Sequence, residues 1–157
     1  MSDTEPAIMW AYDDGGRAAA GYRGVTGDCA TRAVAIASGL PYQVVYDRII
    51  ALSRLERRGK RKRGISHPRV GVYPNTMRKL IAELGGVWTP TMQVGSGCQV
   101  HVRMHELPPG RLVLRLSKHF SAVVDGVLLD TFDPSRDGDR CVYGFWEFPE
   151  PPLDGDD

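Results

Sequence analysis

Three positions in the 157-residue chain carry side chains suited to nucleophilic catalysis: Cys29, His119 and an aspartate at 130 or 133. Cys29 stands where Gly27-Asp28 open a helix. A helix start concentrates partial positive charge and unpaired N–H groups, which stabilise a thiolate. The same N–H groups, that of Cys29 first, can hold an oxyanion on an attacked carbonyl. Asp28 is expected to act as N-cap, its carboxylate accepting one of those donors. Most cysteines are merely small buried hydrophobes, so position alone does not make Cys29 a nucleophile. It needs a base, and His119 lies near the mouth of a hairpin turning at Asp125-Gly126, a dipeptide preferred in two-residue turns. Pairing through that turn sets Val124 opposite Val127, Ser121 opposite Asp130 and His119 opposite Phe132. Side chains alternate across a strand, so His119, Ser121, Asp130 and Phe132 share a face. Asp130 can then hold one imidazole nitrogen and leave the other for a thiol. Asp133 falls on the other face of a regular strand, but Pro134 ends the strand, which keeps Asp133 as the alternate. Taken alone, His119 reads as a surface histidine bonded to an ordinary acid.

The elements that must position these groups follow from periodicity. Ala30, Ala33, Val34 and Ala37 form a small-residue stripe on the first helix, which Gly39 stops. Pro41 starts a second helix in which Tyr42, Val45, Tyr46, Ile49 and Leu52 recur at helical spacing to about Leu55. A third runs from Asn75 or Thr76 to Leu84, with Gly85-Gly86 behind it. Strands are expected at 87–89, 99–102, 112–117, 120–124, 127–130 and about 141–148. Residues 1–26 read as an irregular lead-in with a short element near Met9–Tyr12, residues 27–148 as one domain, and residues 149–157 as an acidic, disordered tail. Helices first and antiparallel sheet second means α+β.

Gly27-Asp28-Cys29-Ala30 heading a helix, followed by Lys118-His119-Phe120 leading into a strand pair that ends in Asp, resembles the papain-like cysteine peptidase plan. In that plan a helix-borne Cys precedes a strand-borne His, then an Asn or Asp. Asp28-Cys29 and Asp133-Pro134 also resemble the bacteriocin-processing branch. Three blocks are similar to a family of small bacterial and phage-encoded proteins that share this plan. They are GDCATRAVAIASGLPYQVVYD (27–47), GVWTPTMQVGSGCQVHVR (86–103) and KHFSAVVDGVLLDTFDPSRDGDRCVYGFW (118–146). The resemblance implies N-terminal helices packed on a C-terminal antiparallel sheet, with Cys29 as nucleophile, His119 as base and acid, and Asp130 or Asp133 as orienter. It implies a thiol-dependent hydrolase acting on a peptide or protein amide, with no cofactor. The plan usually places a Gln shortly before the Cys to complete the oxyanion hole. None stands in 21–26, so Arg23, Thr26 or a backbone N–H is expected to take its place.

Other groupings compete. Cys98, His101, His105 and Cys141 are spaced like zinc ligands, but no Cys-x-x-Cys pair is present and the two histidines point to opposite faces if both lie on a strand with one intervening break, so no metal is expected. Eight of the sixteen residues 54–69 are Lys or Arg, among them Arg57, Arg58, Lys60, Arg61, Lys62 and Arg63. That local field suits a solvated loop, an acidic partner or nucleic acid, with Tyr73 and Trp88 available for stacking. A non-catalytic module that docks nucleic acid or a host protein through this segment is the alternative function. Trp88, Phe145, Trp146 and Phe148 read as core, although Trp146 near a Cys–His pair would shield it from water.

Composition bounds these readings. Hydrophobic residues are 42% and charged residues 25%, with 20 Lys+Arg against 19 Asp+Glu for a net charge of +1. A globally basic nucleic-acid binder and an acidic disordered chain are both excluded. No apolar run reaches the roughly 20 residues of a membrane span, and the acidic start shows no secretory signal. Three cysteines, an odd and sparse set, argue against a disulfide scaffold and for a reducing, cytoplasmic setting.

Overall fold

The computed structural model describes residues 7–24, 27–56, 65–93 and 95–151. In chain order the elements are β1 (Met9–Tyr12), α1 (Cys29–Ser38), α2 (Tyr42–Ser53), α3 (Pro74–Glu83), β2 (Val87–Pro90), a 3-10 turn (Met104–Glu106), β3 (Arg111–Leu116), β4 (His119–Val124), β5 (Val127–Asp130) and β6 (Gly144–Phe148). The strands form one six-stranded sheet in the order β1-β5-β4-β3-β6-β2. The fold is α+β, but the sheet is mixed rather than antiparallel. The short element expected in the lead-in is a sheet strand, and β1 adds parallel to β5, Tyr12 pairing with Asp130. The other pairings are antiparallel.

The helices cover one face of the sheet. Ala33, Val34, Ala37, Val45, Ile49, Met77, Leu80 and Ile81 pack on Val113, Ala122, Trp146 and Phe148. The opposite face is covered by irregular chain: Ile8, Val102 and Leu107 pack on Leu112, Leu114, Val123, Leu128 and Phe145. The central strand β3 is therefore buried on both faces, where alternation alone suggests a half-buried strand. Of the strand expected at 99–102 there is only an isolated bridge, His101 to Cys141.

Two turns set the register. Asp125 and Gly126 take φ of 48° and 84°, as a primed two-residue turn requires, and Val124 pairs with Val127 as expected. A second tight hairpin, not anticipated, joins β3 to β4 through Ser117-Lys118. Leu116 pairs with His119, and Lys118 holds φ of 56°. His119 is thereby the first residue of β4.

Two further expectations change. Cys98 and Cys141 are joined by a disulfide and Cys29 is the free cysteine. Spacing gave no sign of this, because the partners stand 43 residues apart on two irregular segments that only the fold brings together. Such a bridge persists in oxidising surroundings, so unpaired thiols no longer argue for a reducing compartment. The tail is ordered at its start, where Pro149 and Pro151 lie against Gly85 and Gly39; residues 152–157 lie outside the described residues. No described helix is long and apolar enough to cross a membrane.

Candidate active site

α1 is a short helix of small residues, and eight of its ten residues are buried. Small side chains let it lie close on β4, with its N-terminus above the start of that strand. Cys29 is the first helical residue. Its sulfur lies beside His119 and the Phe120 N–H, both of which favour the thiolate. The His119 Nε2–H donates to Asp130 Oδ2 at 2.7 Å, which leaves Nδ1 for the thiol. Ser121 Oγ donates to the same Asp130 oxygen at 2.7 Å. The other oxygen accepts from Arg32 Nη1 at 2.6 Å and from the Thr131 N–H at 2.7 Å. Phe132 covers the imidazole, ring centroids 5.2 Å apart. The structure thus brings Cys29, His119 and Asp130 together: His119 is hydrogen-bonded to Asp130 and lines the same cleft as Cys29. Asp133 is elsewhere: its carboxylate accepts from the Ser135 N–H at 2.9 Å in the turn that follows.

Asp28 departs from its expected role. It makes no side-chain cap hydrogen bond. Its carboxylate is fully buried and accepts from Arg32 Nε at 2.9 Å, Tyr42 Oη at 2.9 Å and Arg17 Nη1 at 3.3 Å. Capping would require the carboxylate to fold back on its own helix, whereas two arginines and a phenol beneath the helix offer charge-assisted partners. Among the described residues, no side chain caps the first-turn N–H groups, that of Cys29 included. Arg32, which sequence reasoning passed over, links the two halves by bonding Asp28 and Asp130 at once. One signal was available: an acid–base pair at i, i+4 on a helix otherwise made of small apolar residues.

Electrostatics follow from this packing. Burial pushes the Cys29 thiol up, but the hydrogen bond and charge of His119, the Phe120 N–H and Arg32 outweigh it, so the thiol lies below its ordinary value. Burial pulls His119 down, yet its bonds to Asp130 and Cys29 raise it to about 9. Asp130 is held below the usual carboxylate range against its burial by His119, Ser121 and Arg32. Burial and the Asp28 carboxylate push Tyr42 well above the phenol range. The Cys29 and His119 shifts both run in the direction of a thiolate beside an imidazolium. With Arg17 and Arg32 set against Asp28 and Asp130, the buried charges balance.

Cys29 and His119 open on a cleft of about 400 Å³ between two walls. One wall is Val70-Gly71-Val72, pinned because Thr31 Oγ1 donates to the Pro68 carbonyl at 2.6 Å, Ser66 N–H to Glu56 at 2.7 Å, and Thr76 Oγ1 to the same Glu56 carboxylate. Gly27 runs so close to the Val70 carbonyl that a β-carbon there would stand 2.4 Å from its oxygen, so the chain entering α1 must be glycine at this point. The other wall is β3 and its turn, with Arg115, Lys118 and Tyr143. Arg115 and Tyr143 also line a second hollow of about 450 Å³, walled by Trp88 and Met92.

The remaining candidates fall as follows. Arg23 is exposed and is not a cleft residue; its carbonyl accepts from Arg69 Nη2 at 2.7 Å. Thr26 lies outside the described residues, as do Arg57, Arg58, Lys60, Arg61, Lys62 and Arg63. Of the four residues with zinc spacing, both cysteines are bridged, and His101 Nδ1 meets Glu106 at 3.1 Å. Trp146 is core, packed against Trp88 and Phe120 rather than over the Cys–His pair. No protein-family model, curated protein or solved structure matches the chain.

Proposed function

We propose that the protein is a thiol-dependent hydrolase of papain-like arrangement that cleaves an amide or isopeptide bond in a peptide or protein. One observation carries this reading: Cys29 and His119 face the same cleft at the head of α1, with the His119 ring held by a hydrogen bond to Asp130. Cys29 thiolate attacks the carbonyl carbon. The first-turn N–H groups of α1 face the developing oxyanion in place of the usual Gln. The C–N bond then breaks, and the His119 imidazolium gives its Nδ1 proton to the departing amine, leaving a thioester on Cys29. Water, deprotonated by the now neutral imidazole, hydrolyses that thioester and restores the thiol pair. Asp130 fixes the ring and its tautomer, and Arg32 and Ser121 fix Asp130.

The test is the pH profile of Cys29 alkylation by iodoacetamide, read by peptide mass spectrometry. Thiolate is the reacting form, and the thiol lies below its ordinary value of 9.0. Alkylation therefore rises with pH through a midpoint below 9.0, and each unit of displacement is about a tenfold gain in thiolate at lower pH. In His119→Ala the imidazolium is gone while burial remains, so the midpoint moves up. A midpoint at 9.0 or above in the unsubstituted protein, or one indifferent to His119, sinks the reading. That outcome leaves the non-catalytic module, in which the basic segment 54–69 holds nucleic acid or a protein partner.

A further inference from the structure

The cleft beside Cys29 and the hollow under Trp88 form one groove, and Arg115 stands where they meet. The sheet explains the placement. Arg115 pairs with Phe120 on one side and with Gly144 on the other, and Gly144 pairs with Pro90. These four residues form a row across one face of the sheet. At one end the Phe120 N–H lies beside the Cys29 sulfur. At the other, Gly144 leaves room that the Trp88 indole fills, since a β-carbon on Gly144 would stand 2.1 Å from that ring. Strands are roughly 4.8 Å apart and an extended chain advances roughly 3.3 Å per residue. Arg115 is therefore within about two residues of any carbonyl attacked by Cys29.

Charge in the groove is one-sided. Arg115 and Lys118 line it, and among the described lining residues there is no aspartate or glutamate. The acids nearest the catalytic pair face away from it: Asp28 beneath α1, and Asp130 behind the imidazole. Arg140 adds to the field, its guanidinium bonding the Ser117 and Pro134 carbonyls behind the β3–β4 turn. Among the described residues the Arg115 guanidinium has no hydrogen bond or ion pair. It is only partly exposed, between an aromatic hollow and the nucleophile. A half-covered guanidinium with five donors and no acceptor favours a planar anion brought by something that enters the groove.

We propose that Arg115 is a specificity residue that selects acyl donors bearing an aspartate or glutamate side chain within two residues of the scissile amide, with a large apolar side chain seated next to it under Trp88. The proposal rests on the hydrolase reading, because it takes its scale from attack by Cys29.

Peptidyl chloromethyl ketones that alkylate Cys29 provide the test. Three series carry glutamate, glutamine or lysine, one or two residues before the reactive ketone, with phenylalanine beside it. Glutamate probes are expected to inactivate at least about tenfold faster than glutamine probes, as a charge-assisted bond outmatches a neutral one. Lysine probes are expected to be slowest. Arg115→Gln is expected to bring the glutamate rate down to that of glutamine. Equal glutamate and glutamine rates in the unsubstituted protein overturn the proposal. So does a preference that survives Arg115→Gln and disappears in Lys118→Gln. Failure of the hydrolase reading is separately visible as the absence of selective, His119-dependent labelling by iodoacetamide.

Discussion

The two ends of α1 are built on opposite principles. At its C-terminus every available device satisfies the backbone. Gly39 takes φ of 77° and returns its N–H to the Ala35 carbonyl. Arg111 donates to the Ala37 and Ile36 carbonyls at 2.7 and 2.8 Å, setting a cation on the negative end of the helix. Pro151 lies against Gly39. At the N-terminus the residue best suited to capping turns inward, and among the described residues no side chain takes its place beside Cys29. A closed helix end contributes only stability. An open one, set against a cleft, keeps a positive field and free N–H groups for a ligand. The difference is what the proposed hydrolase reading requires: one end of the helix is finished within the fold, and on that reading the other is left for a substrate to finish.

Substitutions at the two ends sharpen or break this contrast. The largest effect is expected from Asp130→Asn, which keeps the shape but loses the acceptor that orients His119. The rate of Cys29 acylation by an activated ester is expected to fall about 10³- to 10⁴-fold. A fall of less than tenfold would mean that Asp130 serves the ion network alone. Next is Arg32→Ala, which takes the shared cation from two buried carboxylates, and the cost expected in urea unfolding is about 3–5 kcal/mol. Arg32 is 6% exposed, so little screening is available to soften it. The smallest effect belongs to the other end. Arg111→Ala removes two bonds to carbonyls that neighbouring water can partly replace, for about 1–2 kcal/mol. It is expected to leave the pH midpoint of Cys29 alkylation where it was. If Arg111→Ala displaced that midpoint as His119→Ala does, the two ends would not be independent and the contrast would fail.

Much of the site was legible because its determinants are local. Asp125-Gly126 fixes the β4–β5 turn, the turn fixes the register, and the register alone puts His119, Ser121 and Asp130 on one face. It also separates Asp130 from Asp133. Helix α1 was legible from small-residue periodicity and from Gly39. The β3–β4 turn was not, because Lys118 in the left-handed region leaves no sequence mark of the kind glycine does. Nor was the parallel addition of β1, which depends on an edge of β5 some 115 residues further on. Asp28 was misassigned for a related reason. Helix-start statistics describe an acid on a solvated end, whereas this one sits over two arginines and Tyr42.

The order of residues along the chain thus determined which strand faces carry the imidazole and its carboxylate, and which helix begins at the thiol, because turns and helix ends act over a few residues. Only the tertiary structure decided that the thiol meets the imidazole, that Arg32 ties Asp28 to Asp130, that Cys98 joins Cys141, and that Arg115 stands unpartnered in the groove. Each of these depends on segments distant in sequence being pressed together by the burial of apolar surface. That force acts on the whole chain and leaves no short pattern from which the contacts can be read.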